Sequence, residues 1–162
     1  MYGQVDQKLA DKICSFNRVF AEMGGSFQST SFEKEVREIV ASTNEPVTFY
    51  DSVSGKPLFK APVNRSTDEF IAESKVHGWP SFRDDEVVWE NVRVLKSSGE
   101  TVSTGKCRNL LCHYLLYIIF YACLFLPMIL FFLVGTHLGH NLPDNSGNRY
   151  CINLVSIAGN PV

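Results

Sequence analysis

Between Leu110 and Val134 lie 25 residues without a charge, His113 being the one clearly polar member. About 20 apolar residues suffice to cross a bilayer, so this run constrains the fold more than any other feature of the chain. Lys106 and Arg108 just before it would keep the N-terminal side in the cytoplasm if it spanned a membrane. Elsewhere the composition is that of one globular domain: 162 residues, 45% apolar and 20% charged. A formal charge of -2 with scattered Lys and Arg leaves no basic face for a phosphate backbone, so no nucleic acid is expected as a partner. Five cysteines form an odd set, three of them (Cys107, Cys112 and Cys123) within residues 105–134, unlike the disulfide framework of a small secreted domain. No basic stub followed by an apolar stretch opens the chain. The expected location is cytoplasmic, with the membrane as the alternative through residues 110–134.

Local patterns predict few helices. Val5, Leu9, Ile13, Phe16 and Phe20 stand at roughly helical spacing before Gly24-Gly25-Ser26, which predicts a loosely held helix and a linker. Thr30 followed by Glu33 has the form of a capping box, and Phe32, Val36, Ile39 and Val40 make one apolar stripe that Pro46 stops. From Val47 to Ser103 the chain reads as mostly β, with strands at Val47–Tyr50, Glu86–Trp89 and Val92–Leu95. Asp144-Asn145-Ser146-Gly147-Asn148 predicts a turn, and Arg149 to Ile157 a buried strand.

Within that last stretch, Cys151 follows Arg149 and is preceded by the His137-x-x-His140 pair. A cysteine turns nucleophilic when cations stabilise its thiolate, and histidine moves protons near neutral pH, so these four residues compose a thiol site. The other reading of the same spacing is a small buried hydrophobe beside two solvated histidines.

Three segments carry a resemblance: Gly55-Lys56-Pro57-Leu58-Phe59, then Gly78-Trp79-Pro80-Ser81-Phe82, then Gly135-Thr136-His137-Leu138-Gly139-His140 leading to Arg149-Tyr150-Cys151-Ile152-Asn153. In this order they resemble methionine-R-sulfoxide reductases of the B type, over most of residues 47–104 and 135–158. The resemblance implies a mainly β domain of two small antiparallel sheets with a short N-terminal helix. It implies that Cys151 attacks the sulfoxide sulfur, giving a sulfenic acid and a repaired methionine, and that thioredoxin or another thiol restores the cysteine. His137 and His140 match the residues that perform or support protonation of the leaving oxygen. Asn153 and Arg149 match residues that position the cysteine and hold its thiolate, and Trp79 matches the wall that receives the methyl group; Phe82 reads as core. Free or protein-bound oxidised methionine would be the substrate.

Two features depart from the family's pattern. His77 stands where many members carry a resolving cysteine, so regeneration falls to another cysteine, such as Cys14, or directly to an external thiol. Many members also hold a structural zinc with two Cys-x-x-Cys pairs, and the first pair corresponds here to Asp51 and Ser54. Those side chains cannot form a tetrahedral thiolate site, so no cofactor and no metal are expected. Cys107 and Cys112 read as accidental neighbours rather than metal ligands.

The apolar run interrupts this pattern. A site split across a membrane, with Trp79 on one side and Cys151 on the other, could not work. The chain therefore reads as 1–30, a loosely structured N-terminal segment; 31–104, the first part of a reductase domain; 105–134, a helical apolar insert; and 135–162, the second part with the catalytic motifs. The codons for Gly105-Lys106-Cys107 can be GGT AAG TGT, containing a splice-donor-like GTAAGT. Those for Leu133-Val134 can end a T-rich run with an acceptor-like AG, so the insert has the form of a translated intron. Removing residues 105–133 rejoins Thr104 to Gly135 through one valine, leaves 133 residues, and aligns Val102 and that valine with the second zinc pair. The 162-residue form that keeps the insert is expected to be inactive and either membrane-associated or aggregated, its motifs surviving only as disconnected pieces. The rival reading is a catalytically dead, membrane-anchored remnant of the family.

Overall fold

The computed structural model describes residues 6–15, 20–104 and 135–158. The insert, and with it the expected membrane span, lies outside the described residues; among them no helix is long and apolar enough to cross a membrane. The chain is mainly sheet. Three strands, β1 (Val47–Asp51), β2 (Pro57–Ala61) and β8 (Ile157–Ala158), form one antiparallel sheet in the order β2-β1-β8. The other five are β3 (Ser81–Phe82), β4 (Val92–Val94), β5 (Glu100–Ser103), β6 (His137–Asn141) and β7 (Tyr150–Ile152). They form a second antiparallel sheet in the order β3-β7-β6-β5-β4.

Strands from both sides of the insert are therefore hydrogen-bonded neighbours. Ser103 N–H donates to the Thr136 carbonyl at 2.9 Å, so β5 and β6 meet as a hairpin and the insert joins its tip. The expectation that the motifs survive only as disconnected pieces does not hold for the described residues, and the inactivity expected of the 162-residue form loses that ground. An insertion at a hairpin tip lengthens a loop without breaking the ladder below it, and loop closure entropy grows slowly with length.

A cluster of phenylalanines fills the space where the sheets and helices meet. Phe82, from the Gly-Trp-Pro-Ser-Phe motif, is fully buried, stacks on Phe59 with centroids 4.3 Å apart and meets Phe49 edge-on at 5.3 Å. Leu138, Ile152 and Ile157 complete the core from the C-terminal part.

Helix α1 (Gln7–Ser15) buries Ile13 and packs on β6 and the turn at Leu154–Ser156. Helix α2 (Phe32–Thr43) buries Phe32 and Val36, as their spacing predicts. Its expected capping box does not form: Ser31 is the N-cap, Thr30 Oγ1 donates to the Phe27 carbonyl at 2.6 Å, and Glu33 bonds Arg37. The helix ends where Asn44 takes a left-handed conformation, ahead of Pro46.

Helix α3 (Thr67–His77) has no counterpart among the predicted elements. Only Phe70, Ile71 and Ser74 are buried, and Val76 is exposed, so it lacks a clear apolar stripe. A reciprocal capping box starts it instead, Ser66 accepting from Glu69 N–H at 3.2 Å while Ser66 N–H donates to the Glu69 carboxylate at 2.7 Å. Two predicted strands are corrected. Residues 84–86 form a 3-10 turn and only Val87 bridges to Phe59, while Arg149–Ile157 divides into β7, a 3-10 turn at Leu154–Ser156, and β8.

Candidate functional site

Antiparallel register places directly opposed residues on the same face of a sheet. Across β3, β7, β6 and β5 the opposed residues run Ser81, Cys151, His140, Glu100. One row of the sheet thus carries a hydroxyl, a thiol, an imidazole and a carboxyl.

His137 joins this row only through an irregularity. On a regular strand, residues three apart face opposite sides. Thr101 pairs with Gly139 and Val102 with His137, so β6 carries Leu138 as an extra residue, a β-bulge that re-aims the side chain before it. The His137 and His140 rings consequently lie 5.4 Å apart, edge to face. Gly139 is required at the bulge, because a Cβ there would lie 1.9 Å from the Cys151 carbonyl oxygen.

Cys151 is nearly buried, and its Sγ accepts a hydrogen bond from Arg149 Nη1; Ser81 Oγ lies 3.8 Å from the same sulfur. A guanidinium against the sulfur is the contact a thiolate nucleophile requires. Arg149 is aimed by Asp144, whose Oδ2 accepts from Arg149 Nε at 3.2 Å and from Arg83 Nη2 at 2.9 Å. Arg83 in turn binds Glu73 on α3. Arg83, then the Ser146 N–H, pushes the Asp144 carboxyl down to about 2, so it stays an anion throughout the ordinary pH range.

His137 is 3% exposed, with Nδ1 3.0 Å from Glu100 Oε1. Burial first, then the neighbouring His140, pushes its pKa down to about 4, so the ring is neutral at pH 7. With Nδ1–H donated to Glu100, Nε2 is left as an acceptor, and it has no hydrogen-bond partner among the described residues. A buried imidazole nitrogen without a partner is what a polar substrate atom would complete.

The remaining predicted residues are tethered at the edge of this row. Asn153 Nδ2 donates to the Leu138 carbonyl at 3.2 Å and its Oδ1 accepts from Glu22 N–H at 3.1 Å. Trp79, two residues before Ser81, donates its indole N–H to the Glu22 carbonyl at 3.3 Å. Cys14 bonds Ser156, Sγ to Oγ 3.7 Å, and burial pushes its thiol up; it is not bonded to Cys151. His77, at the place of a resolving cysteine, ends α3 near Glu73 and Asp144. The sequence reading omits Ser81, Arg83, Glu100, Asp144 and Glu22. Two of them carry a local signal: Ser81 lies in the quoted Gly78–Phe82 motif, and Asp144 in the predicted turn, which points to structure rather than to chemistry.

The zinc site that the resemblance implies does not match the residues present. Asp51 is fully buried, and its carboxylate accepts from Val53 N–H (3.0 Å), Ser54 Oγ (2.8 Å), Ser103 Oγ (2.7 Å) and Thr136 Oγ1 (2.9 Å). These hydroxyl and amide donors do not fit a thiolate zinc site. Ser103 and Thr136 complete the group rather than the expected Val102, which pairs with His137. Elsewhere among the described residues, Glu73, His77 and Asp144 could converge on a cation, but the guanidiniums of Arg65, Arg83 and Arg149 already hold both carboxylates.

No protein-family model matches the chain, and no curated protein matches it.

Proposed function

We propose that the chain is a methionine-R-sulfoxide reductase of the B type, acting through Cys151. The observation that carries this reading is the row Ser81-Cys151-His140-Glu100, with Arg149 against the sulfur and the open Nε2 of His137 beside it. The Cys151 thiolate attacks the sulfoxide sulfur and the sulfur–oxygen bond breaks. Once a proton has reached it, the oxygen passes to Cys151 as the sulfur–sulfur bond formed by the attack breaks, leaving a sulfenic acid on Cys151 and the substrate as a thioether. His140, opposite Cys151, is the candidate proton donor. Such acid catalysis is typically worth about a hundredfold to ten-thousandfold; His137, held neutral, orients the oxygen by accepting a hydrogen bond from its hydroxyl form. Two external thiols, as in thioredoxin or dithiothreitol, then reduce the sulfenic acid, giving water and their disulfide.

The test is stereochemical. Supplied with both epimers of a blocked methionine sulfoxide and dithiothreitol, the protein should consume the R form alone, and Cys151→Ser should consume neither. Without the external thiol, a sulfenic-acid probe should label Cys151 after one turnover. Equal consumption of the two epimers, or turnover by the serine variant, would sink the reading.

A further inference from the structure

Glu22 lies outside every motif quoted above, yet it is a buried acid, only 4% exposed. Burying a carboxyl costs free energy unless its atoms find partners, so its position calls for an account. Its side chain reaches the turn after Asn153, where Oε2 accepts from Val155 N–H at 3.2 Å. Its backbone turns both ways into the site: the N–H donates to Asn153 Oδ1 and the carbonyl accepts from the Trp79 indole. Two residues on, a Cβ at Gly24 would lie 3.1 Å from Trp79 Cη2, and Gly25 N–H donates to the Gly78 carbonyl at 2.7 Å.

Residues expected as a linker thus touch both edges of the site. Asn153 has one end of its amide tied to Leu138 and the other to Glu22, which fixes which end carries the oxygen. Trp79 is gripped at its nitrogen by Glu22 and approached at its ring by Gly24. Glu22 thus bonds Asn153, Trp79 and the Leu154–Ser156 turn at once.

We infer that Glu22 is a positioning residue for the site: its carboxyl anchors residues 22–25 on the Leu154–Ser156 turn, and its backbone thereby sets Trp79 and Asn153. The consequence for catalysis rests on the reductase reading; the consequence for Trp79 does not. Burial raises the Glu22 carboxyl and the turn's N–H groups lower it, consistent with an anchor rather than an exposed charge.

The experiment uses the full chain with Trp89→Phe, which leaves Trp79 as the only tryptophan. Glu22→Ala should shift Trp79 emission to the red, make it several-fold more quenchable by acrylamide, and raise KM for the R-sulfoxide by about tenfold, the effect of losing one good hydrogen bond. Glu22→Gln keeps an oxygen for Val155 and should rescue both the emission and most of KM. Should Glu22→Ala fail to fold, Gly24→Ser, which sets a side chain against the indole, must move Trp79 emission and KM at an unchanged melting temperature. Native emission in Glu22→Ala, or in Gly24→Ser where that variant is needed, overturns the inference. An emission shift in a protein that reduces no sulfoxide upholds Glu22 as the anchor of Trp79 and removes the reductase reading; sulfoxide reduction with emission and KM unmoved does the reverse.

Discussion

Buried and neutral, His137 makes stability depend on pH in a way that can be worked from the structure. In the unfolded chain its ring takes a proton near the ordinary 6.5, but in the folded protein only near 4. As pH falls between those values the unfolded state binds the proton first, so stability is lost; above about 7 the contribution is whole, and below about 4 nothing more is lost. The gap corresponds to about 3 kcal/mol when fully developed, of which about 2 kcal/mol separates pH 7.5 from pH 5. Glu22 works the other way, since a carboxyl raised by burial favours the folded state as pH falls. The comparison must therefore be between proteins that share Glu22. His137→Asn places an amide N–H where Nδ1–H met Glu100 and cannot titrate. Urea unfolding of the form lacking residues 105–133, at pH 7.5 and pH 5, should show the parent losing about 2 kcal/mol more than the variant. Parallel losses, or a parent that gains relative to the variant, would show that His137 is not held neutral by the fold.

Three further outcomes follow from the same geometry. Cys14→Ala should leave steady-state turnover with dithiothreitol nearly unchanged, because Cys14 bonds Ser156 and burial raises its thiol; a halt after one turnover would make it the resolving cysteine. The protein should fold without metal, so that chelation leaves the melting temperature in place, whereas Asp51→Ala, which strands Ser54, Ser103 and Thr136, should cost about 2 kcal/mol or more. Excising residues 105–133 with one valine as the join should retain the folded core and raise R-sulfoxide turnover over the 162-residue chain, because Thr104-Val-Gly135 then spans Ser103 to Thr136 as a three-residue hairpin loop; unfolding of the excised form would show that the β5–β6 pairing needs the insert.

Local chemistry made part of this legible. The strand at Val92–Val94, the stripe of α2 and the turn at Asp144 each announce themselves within a few residues. The arginine two residues before Cys151 and the paired histidines could be chosen by residue type. Their arrangement could not, because which residue faces Cys151 is settled by register between strands far apart in sequence. Ser81 and Glu100 enter the row that way; Ser81 lies within the quoted Gly78–Phe82 motif without being singled out there, and nothing around Glu100 points to it. The bulge at Leu138 was equally hidden: His-x-x-His on a regular strand would point its two rings apart. Helix α3 escaped because its capping box was the one strong signal and its apolar stripe is thin. Glu22 was unreadable for the opposite reason, since a lone acid in a glycine-rich stretch looks like solvent-facing chain.

The group around Asp51 also bears on what the scaffold survives. Where zinc holds strands together, the ligating thiolates are themselves oxidised by peroxide and release the ion. Here β1, its turn and the β5–β6 hairpin are fastened by a carboxylate, three hydroxyls and an amide, none of which climbs the sulfur oxidation ladder. An oxidant strong enough to dismantle a thiolate clasp would find nothing to attack in this one, and this part of the fold would persist under the conditions that generate methionine sulfoxide.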